Sequence, residues 1–123
     1  MKHTPGFIAI VEDARSRVTE ISAEEYRALR SLGTPHTLLD VREESEWRAG
    51  HAEGASHLGK GVIERDIETK HPETGELLVL YCGGGYRSAL AADTLQKMGY
   101  KNVRSLAGGW RAWQEAKLPV STE

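Results

Sequence analysis

The residues best suited to chemistry lie in one short stretch, residues 82–88, which reads Cys-Gly-Gly-Gly-Tyr-Arg-Ser and is called the Cys82 loop below. A cysteine thiolate is a strong nucleophile, and Cys82 is the only cysteine of the chain, so no internal disulfide can engage it. Three successive glycines destabilise a regular helix or strand, but they let backbone amides approach a small anion closely. The stretch therefore predicts a nucleophilic cysteine surrounded by the amides of Gly83, Gly84 and Gly85.

The position of the loop supports the same chemistry. Residues 77–81 are the most apolar segment and lack alternation, which is typical of a strand buried on both faces, and residues 88–98 have helical periodicity. Ligands of open parallel sheets bind at the carboxyl ends of the strands, where helix N-termini carry partial positive charge. This charge and the guanidinium of Arg87 favour the thiolate form of Cys82.

Two other interpretations of the loop are weaker. A lone cysteine at the end of a strand is commonly a small buried hydrophobic residue, but such a packing role does not require three adjacent glycines. A glycine-rich turn between a strand and a helix also suggests a nucleotide-binding loop. The stretch contains neither G-x-G-x-x-G nor the Gly-Lys-Ser/Thr of a phosphate-binding loop, so we do not expect a nucleotide ligand.

The elements around the loop alternate between strand and helix, which predicts a parallel sheet with helices on both faces. Ser22 and Glu25 form a capping box at the start of one helix, and Gly33 ends it. The predicted strands are residues 18–21, 37–41, 55–56, 77–81 and 103–106. The predicted helices are residues 7–18, 22–33, 43–50, 59–71, 88–98 and 110–116.

Composition limits the classes of function. We predict a single domain over residues 1–123, with a core at 18–119 and a helical extension at 1–17 that packs either on the core or on a second copy. The net charge is -2, so there is no excess of basic residues for nucleic acid. No apolar run is long enough for a membrane span or signal peptide, and the lone cysteine suits a reducing compartment, so we expect a cytoplasmic protein. No Cys/His cluster has zinc-site spacing, and we expect neither a metal nor a cofactor.

Four motifs, in their order along the chain, resemble those of the rhodanese family. They are Leu-Leu-Asp-Val-Arg-Glu at residues 38–43, Gly-His-Ala-Glu-Gly-Ala at 50–55, the Cys82 loop, and Leu-Ala-Gly-Gly-Trp at 106–110 with Trp113. The resemblance covers residues 18 to 119. It implies a three-layer α/β/α fold with a five-stranded parallel sheet in the order 3-2-4-5-1, in which the strand before Cys82 is central.

The resemblance also implies a reaction. Enzymes of this family are sulfurtransferases that carry sulfane sulfur as a persulfide on the loop cysteine, taken from a small donor such as thiosulfate and passed to a thiol, cyanide or a protein acceptor. Phosphatases and arsenate reductases of the same fold have five residues between cysteine and arginine, whereas four separate Cys82 from Arg87. The shorter loop suits one sulfur atom better than a tetrahedral oxyanion. A non-catalytic binding module remains as an alternative, although such modules usually lose the cysteine.

The resemblance suggests supporting roles outside the loop. Asp40 and Arg42 would form a structural network below it, and His51 would be a hydrogen-bonding brace rather than a general base. The charge of Arg87 allows it either to steer an anionic donor or stabilise the persulfide, or to pair with Asp40 or Glu46 and brace the loop.

Tyr86, Ser88 and a cation from outside the loop are the candidates for the walls of the site. We expect Tyr86 either to form part of the pocket wall or to pack on the next helix. The Ser88 hydroxyl can bond a free N–H, as a cap of that helix, or the cysteine sulfur, and capping is the role we expect. Sulfurtransferases that prefer thiosulfate often carry a cation directly after the cysteine, and this loop has none. Lys60 or Arg65 are the candidates to supply that charge, unless both belong to an ordinary solvated helix face.

Overall fold

The computed structural model describes residues 2–123, which form six α-helices and seven β-strands. The helices are α1 (Pro5–Arg15), α2 (Ala23–Ser31), α3 (Glu44–Ala49), α4 (Ile63–Lys70), α5 (Tyr86–Lys97) and α6 (Gly109–Glu115). The strands are β1 (Thr19–Ile21), β2 (Thr37–Asp40), β3 (His51–Ala52), β4 (Ser56–His57), β5 (Leu78–Tyr81), β6 (Val103–Leu106) and β7 (Val120–Ser121).

Five of the strands form a parallel sheet in the order β1-β6-β5-β2-β4. This confirms both the α/β class and the predicted order, since β4, β2, β5, β6 and β1 are the third, second, fourth, fifth and first of the predicted strands. β5 is the central strand, and all four of its residues are fully buried. Residues 77–81 lack polar alternation because neither face of this strand meets water.

A separate antiparallel pair, β3 with β7, was not predicted from the sequence. His51 pairs with Ser121 and Ala52 with Val120. Each of these strands has only two residues, which is too few for an alternating pattern to be recognised. The pair joins the end of the chain to the turn that contains His51.

Helices cover both faces of the main sheet. One face packs against α4 and α5, with Ile67 and Leu95 completely buried between the layers. The other face packs against α2 and α6, where Tyr26 and Trp113 are the largest buried side chains. The strands are therefore enclosed, and the carboxyl end of β5 opens toward the Cys82 loop.

The N-terminal helix adds an outer layer on its own domain. α1 begins at Pro5, which suits the first turn of a helix, and ends at Arg15 rather than at residue 18, because the chain turns at Ser16 toward β1. The helix packs against α5, and its Val11 and Ala14 are buried. Of the two arrangements considered from the sequence, docking on the core is the one observed.

The docking of α1 can be tested with two neighbouring aliphatic residues. Val11 is fully buried, whereas Ile10 is 55% exposed on the same helix. Val11→Ala should lower the free energy of unfolding by about 1–3 kcal/mol, because it removes buried methyl groups and leaves a cavity. Ile10→Ala should change it by less than about 0.5 kcal/mol. Urea unfolding measures both, and equal effects would contradict the observed packing.

Candidate active site

Cys82 directly follows β5 and is 1% exposed. Two backbone amides donate to its sulfur: the N–H of Gly85 at 3.1 Å and the N–H of Ser88 at 3.3 Å. Both belong to the start of α5, so the partial positive charge of this helix end is directed at Sγ. The arrangement stabilises negative charge on the sulfur.

α5 begins two residues earlier than predicted, and this changes the role of Ser88. Gly85 occupies the N-cap in the left-handed conformation (φ 94°), and Tyr86 is the first helical residue. The prediction that Ser88 caps the helix is therefore wrong. Its hydroxyl lies inside the first turn, 3.6 Å from Sγ of Cys82 and 2.8 Å from Oγ of Ser105, and both serines are fully buried.

Arg87 forms a two-point ion pair with Glu46 of α3. Its Nη1 lies 2.7 Å from Oε2 and its Nη2 lies 3.1 Å from Oε1. The guanidinium also approaches the loop closely, because a Cβ added at Gly83 would lie 2.9 Å from Nη2. Hydrogen bonding to Glu46 raises the pKa of Arg87, which therefore stays charged, and the same bonds lower the pKa of Glu46. Of the two carboxylates considered from the sequence, Glu46 is the partner.

Asp40 and Arg42 form a buried network beneath the loop. The Nε and Nη2 of Arg42 donate to the Asp40 carboxylate at 2.8–3.1 Å, and Nη2 also donates to the carbonyl of Gly50 at 2.7 Å. Tyr81 donates its hydroxyl proton to Asp40 at 2.5 Å and accepts from the amide of Ala52 at 3.0 Å. Burial raises the pKa of Tyr81 far above its ordinary value, so the hydroxyl keeps this proton. The network connects β2, β5 and the 50–52 turn.

His51 is placed as a brace of the same turn. Its Nδ1 lies 2.9 Å from the carbonyl of Trp47, which can only accept, so Nδ1 carries the proton in this bond. The imidazole stacks on the Trp47 ring, with centroids 3.4 Å apart and an interplanar angle of 4°. The side chain is 4% exposed. These contacts hold the end of α3 against β3.

A second glycine turn, formed by Gly108 and Gly109, supports the Cys82 loop through its backbone. The amide of Trp110 donates to the carbonyl of Cys82 at 2.6 Å, and the amide of Arg111 donates to the carbonyl of Gly83 at 3.2 Å. Gly109 has φ 54°, and a Cβ there would clash with the Cys82 carbonyl. The glycine pair before Trp110 was the available signal for this contact.

A cavity of about 250 Å³, called the Phe7 cavity below, adjoins the loop at Arg87. Its lining residues are Phe7, Val41, Glu43, Lys60, Gly61 and Arg87. Lys60 reaches this position because its amide bonds the carbonyl of Val41, which also delays the start of α4 from residue 59 to Ile63. Arg65 lies outside the cavity; it is exposed and pairs with Asp66 at 2.8 Å.

Tyr86 does not line this cavity. Its ring packs instead against the N-terminal segment, 4.3 Å from the His3 ring and 6.0 Å from the Phe7 ring between centroids. The sequence indicated packing on the next helix as one alternative, and the partner proves to be α1. Neither this contact nor the position of Phe7 could be read from the sequence, because α1 lies far from the loop along the chain.

Residues 2–123 contain no group of three or more His, Cys, Asp or Glu side chains placed to hold a metal ion. None of the helices described is both long and apolar enough to cross a membrane. A larger cavity of about 400 Å³ lies at the amino ends of β2 and β4, and no residue of the Cys82 loop lines it.

Comparison with known proteins decides the family. A model of the rhodanese-like domain matches residues 22–116, which include the Cys82 loop, the Asp40 network and the supporting glycine turn. The chain belongs to the rhodanese-like domain family. The matched region lies inside the predicted core and excludes α1, so the helix that packs on Tyr86 is outside the part that defines the family.

Three similar proteins illustrate this membership. The thiosulfate sulfurtransferase GlpE of Actinobacillus succinogenes is 35% identical, over 85% of this chain and 91% of the relative. The structure of a Rhodopseudomonas palustris protein of unknown function, described as a possible tyrosine phosphatase, has a TM-score of 0.82 and 30% identity over 98% of both chains. The polysulfide-sulfur transferase homodimer of Wolinella succinogenes has a TM-score of 0.79 and 27% identity, over 94% of this chain and 87% of that chain.

Two other relatives, from Schizosaccharomyces pombe and Bacillus subtilis, extend beyond the match, since the alignments cover 63% and 52% of their lengths.

The close approach of the two glycine turns can be tested by adding one methyl group. Gly109→Ala would place Cβ against the Cys82 carbonyl at a positive φ, so we expect a loss of about 1–3 kcal/mol of stability. Gly75→Ala is the matched control, because nothing lies within 4 Å of its added Cβ and its φ is not positive. Urea unfolding measures the free energy of unfolding, and the rate of iodoacetamide alkylation measures the accessibility of Cys82 in each variant. Equal behaviour of the two variants would contradict the contact.

The ion pair of Glu46 predicts a dependence of stability on pH. Its folded pKa is lowered by Arg87 below the ordinary value of 4.5, so the pair stabilises the fold above that pH, and this contribution is lost as the pH falls through the lowered pKa. Both side chains are about one third exposed, so Glu46→Gln should cost at most about 1 kcal/mol at pH 7. The difference between wild type and variant should vanish at low pH. Glu44→Gln, which breaks an exposed pair with Arg48, should show a smaller effect.

Proposed function

We propose that this protein is a sulfurtransferase that carries sulfane sulfur as a persulfide on Cys82. The observation that carries the proposal is the placement of Sγ at the end of the central strand, with the amides of Gly85 and Ser88 directed at it and the charged Arg87 beside the loop. This environment favours an anionic sulfur, which both the attacking thiolate and the persulfide require. The sulfurtransferase names of similar proteins support it.

The loop has unused donors for a second sulfur atom. Within residues 2–123, the N–H groups of Gly84, Tyr86 and Arg87 bond no protein acceptor. An anion bound between these groups would satisfy amides that the start of α5 leaves free. We therefore assign the amides of the Cys82 loop, Gly83 to Ser88, as the binding site of the terminal persulfide sulfur.

The reaction is a double displacement. The Cys82 thiolate attacks the sulfane sulfur of a donor such as thiosulfate; a bond forms between Sγ and that sulfur, the donor's own bond to it breaks, and the remaining fragment leaves with the electron pair. A thiolate or cyanide then attacks the terminal sulfur, and the electrons of the broken S–S bond return to Sγ. The chain has no second cysteine to resolve the persulfide, so the acceptor is external, either a small molecule or a protein. A thiol with this reactivity suits a reducing compartment such as the cytoplasm.

Asp40, Arg42 and His51 have supporting roles in this proposal. All three are buried, and each uses its polar atoms for contacts with the turn or strand below the loop. They are therefore positioning residues, whose removal would displace the loop rather than remove a reacting group.

One other activity has a specific observation behind it, because the Rhodopseudomonas palustris protein is described as a possible tyrosine phosphatase. A phosphate ester needs a loop that surrounds three equatorial oxygens. Only four residues separate Cys82 from Arg87, and Arg87 is engaged by Glu46. These features favour a single sulfur atom as the cargo.

The lone cysteine makes the test of this function direct. The purified protein is incubated with thiosulfate or with 3-mercaptopyruvate, and its intact mass is measured before and after cyanide. We expect a cyanide-labile gain of one sulfur atom in the wild type and none in Cys82→Ser, because serine cannot form the persulfide. Arg65→Met, at an exposed cation outside the site, serves as the control and should load like the wild type.

The same protein samples, assayed also with an aryl phosphate, test the two alternative functions, a non-catalytic binding module and a phosphatase. No gain of sulfur with either donor, from protein that still binds a partner, would favour a non-catalytic binding module. Release of phosphate from an aryl phosphate, dependent on Cys82, would favour the phosphatase.

A further inference from the structure

α1 is anchored firmly on the domain although it lies outside the family match. Arg17, just after the helix, donates to the Asp93 carboxylate of α5 at 2.8 and 2.9 Å, and its carbonyl accepts from Gln96 at 2.9 Å. Asp93 is buried, and hydrogen bonding to Arg17 lowers its pKa. The helix is thus fixed to the same element that begins at the Cys82 loop.

The N-terminal segment covers one residue of that loop on several sides. The Tyr86 ring lies parallel to the Phe7 ring within 15°, tilts against His3, and has the guanidinium of Arg15 at 4.8 Å from its centroid. Phe7 therefore packs beside a residue of the loop that holds Cys82.

The same Phe7 ring forms a wall of the Phe7 cavity. Phe7 and Val41 are the apolar residues of the lining, and Lys60 and Arg87 are its cations. A dry cavity of about 150 Å³ can hold benzene in another protein, so about 250 Å³ admits an aromatic ring with a small polar group attached.

The charges around this cavity suit a monoanion better than a dianion. Arg87 is already balanced by Glu46, and Glu43 adds a carboxylate to the lining. Lys60 forms no ion pair among residues 2–123. Of the described cations that line the cavity, Lys60 is thus the one without an ion pair, and the apolar residues Phe7 and Val41 line the same cavity. This combination matches a ligand with one negative charge and a hydrocarbon part.

We propose that α1 completes a donor subsite in which Phe7 contacts the hydrocarbon part of a small organic sulfane donor and Lys60 receives its single negative charge. The inference rests on the proposed sulfurtransferase function and specifies its substrate class. For a thiosulfonate donor, Cys82 takes the terminal sulfur, the bond between that sulfur and the sulfonyl sulfur breaks, and an organic sulfinate leaves with the electron pair. Phe7 and Lys60 contact the donor in this proposal but take no part in the bonds that change, so their role is to select the donor.

The experiment compares two donors that differ only in apolar size, benzenethiosulfonate and methanethiosulfonate, both monoanions. The full chain transfers sulfur to cyanide, and thiocyanate formation gives kcat and KM. Phe7→Ala should lower the kcat/KM ratio of the aromatic over the methyl donor by about three- to tenfold, mainly through a higher KM for the aromatic donor, since the contact is present before and during the reaction. Ile10→Ala, exposed on the same helix, should leave the ratio unchanged.

Two further variants separate the parts of the subsite. Phe7→Leu keeps most of the apolar surface, so its ratio should lie between those of wild type and Phe7→Ala. Lys60→Met should raise KM for both donors by the same factor and leave the ratio unchanged. Thermal unfolding verifies that each variant is folded under the assay conditions.

The outcomes distinguish this inference from the function on which it rests. If intact mass shows sulfur on Cys82 from both donors but the ratio in folded Phe7→Ala is unchanged, the subsite is wrong and the sulfurtransferase proposal stands. A higher ratio in Phe7→Ala would mean that the ring blocks the donor, and this would also overturn the inference. If neither donor loads Cys82, the proposed function fails as well.

Discussion

The hydrogen bond from the Trp110 amide to the Cys82 carbonyl joins the two glycine turns on which the site is built. It requires the backbones to approach so closely that no side chain fits at Gly109. Because the carbonyl of Cys82 is held from behind, the amides of Gly85 and Ser88 can converge on Sγ from the other side. The conformation of the loop therefore depends on α6 as much as on α5, although α6 contributes no side chain to the sulfur.

Below the loop, a buried charged pair stabilises the geometry because several further hydrogen bonds surround it. The Asp40 carboxylate accepts from Arg42 and Tyr81, and the Arg42 guanidinium also reaches the Gly50 carbonyl. An ion pair buried without such bonds would cost more in desolvation than it gains in attraction. These hydrogen bonds offset the desolvation of the ion pair, and they link two strands to the 50–52 turn.

Two kinds of group contribute to the electrostatics of the site, backbone amides and charged side chains. The backbone amides act at the sulfur itself, where water is excluded, whereas the side chains of Arg87 and Lys60 line the Phe7 cavity beside the loop. Glu46 pairs with Arg87 and Glu43 adds a second carboxylate, so the surroundings of this cavity carry little net positive charge although Lys60 forms no ion pair. α1 adds the apolar surface of Phe7 to this cavity, from a segment that lies before the residues matched by the family model.

Periodicity and the run of glycines predicted the strands of the main sheet and the Cys82 loop, because these depend on neighbouring residues. The resemblance to the rhodanese family implied the order of the strands, which the sheet confirms. The nucleophilic role of Cys82 stays a prediction. Periodicity could not reveal the β3-β7 pair, whose strands are two residues long. The partner of Arg87, the support of Cys82 by Gly109 and the contact of Phe7 with Tyr86 join residues that are distant in the chain. Only the packing of α1, α3 and α6 around the end of β5 decides which of these residues meet, since side chains of similar type were available at several other positions.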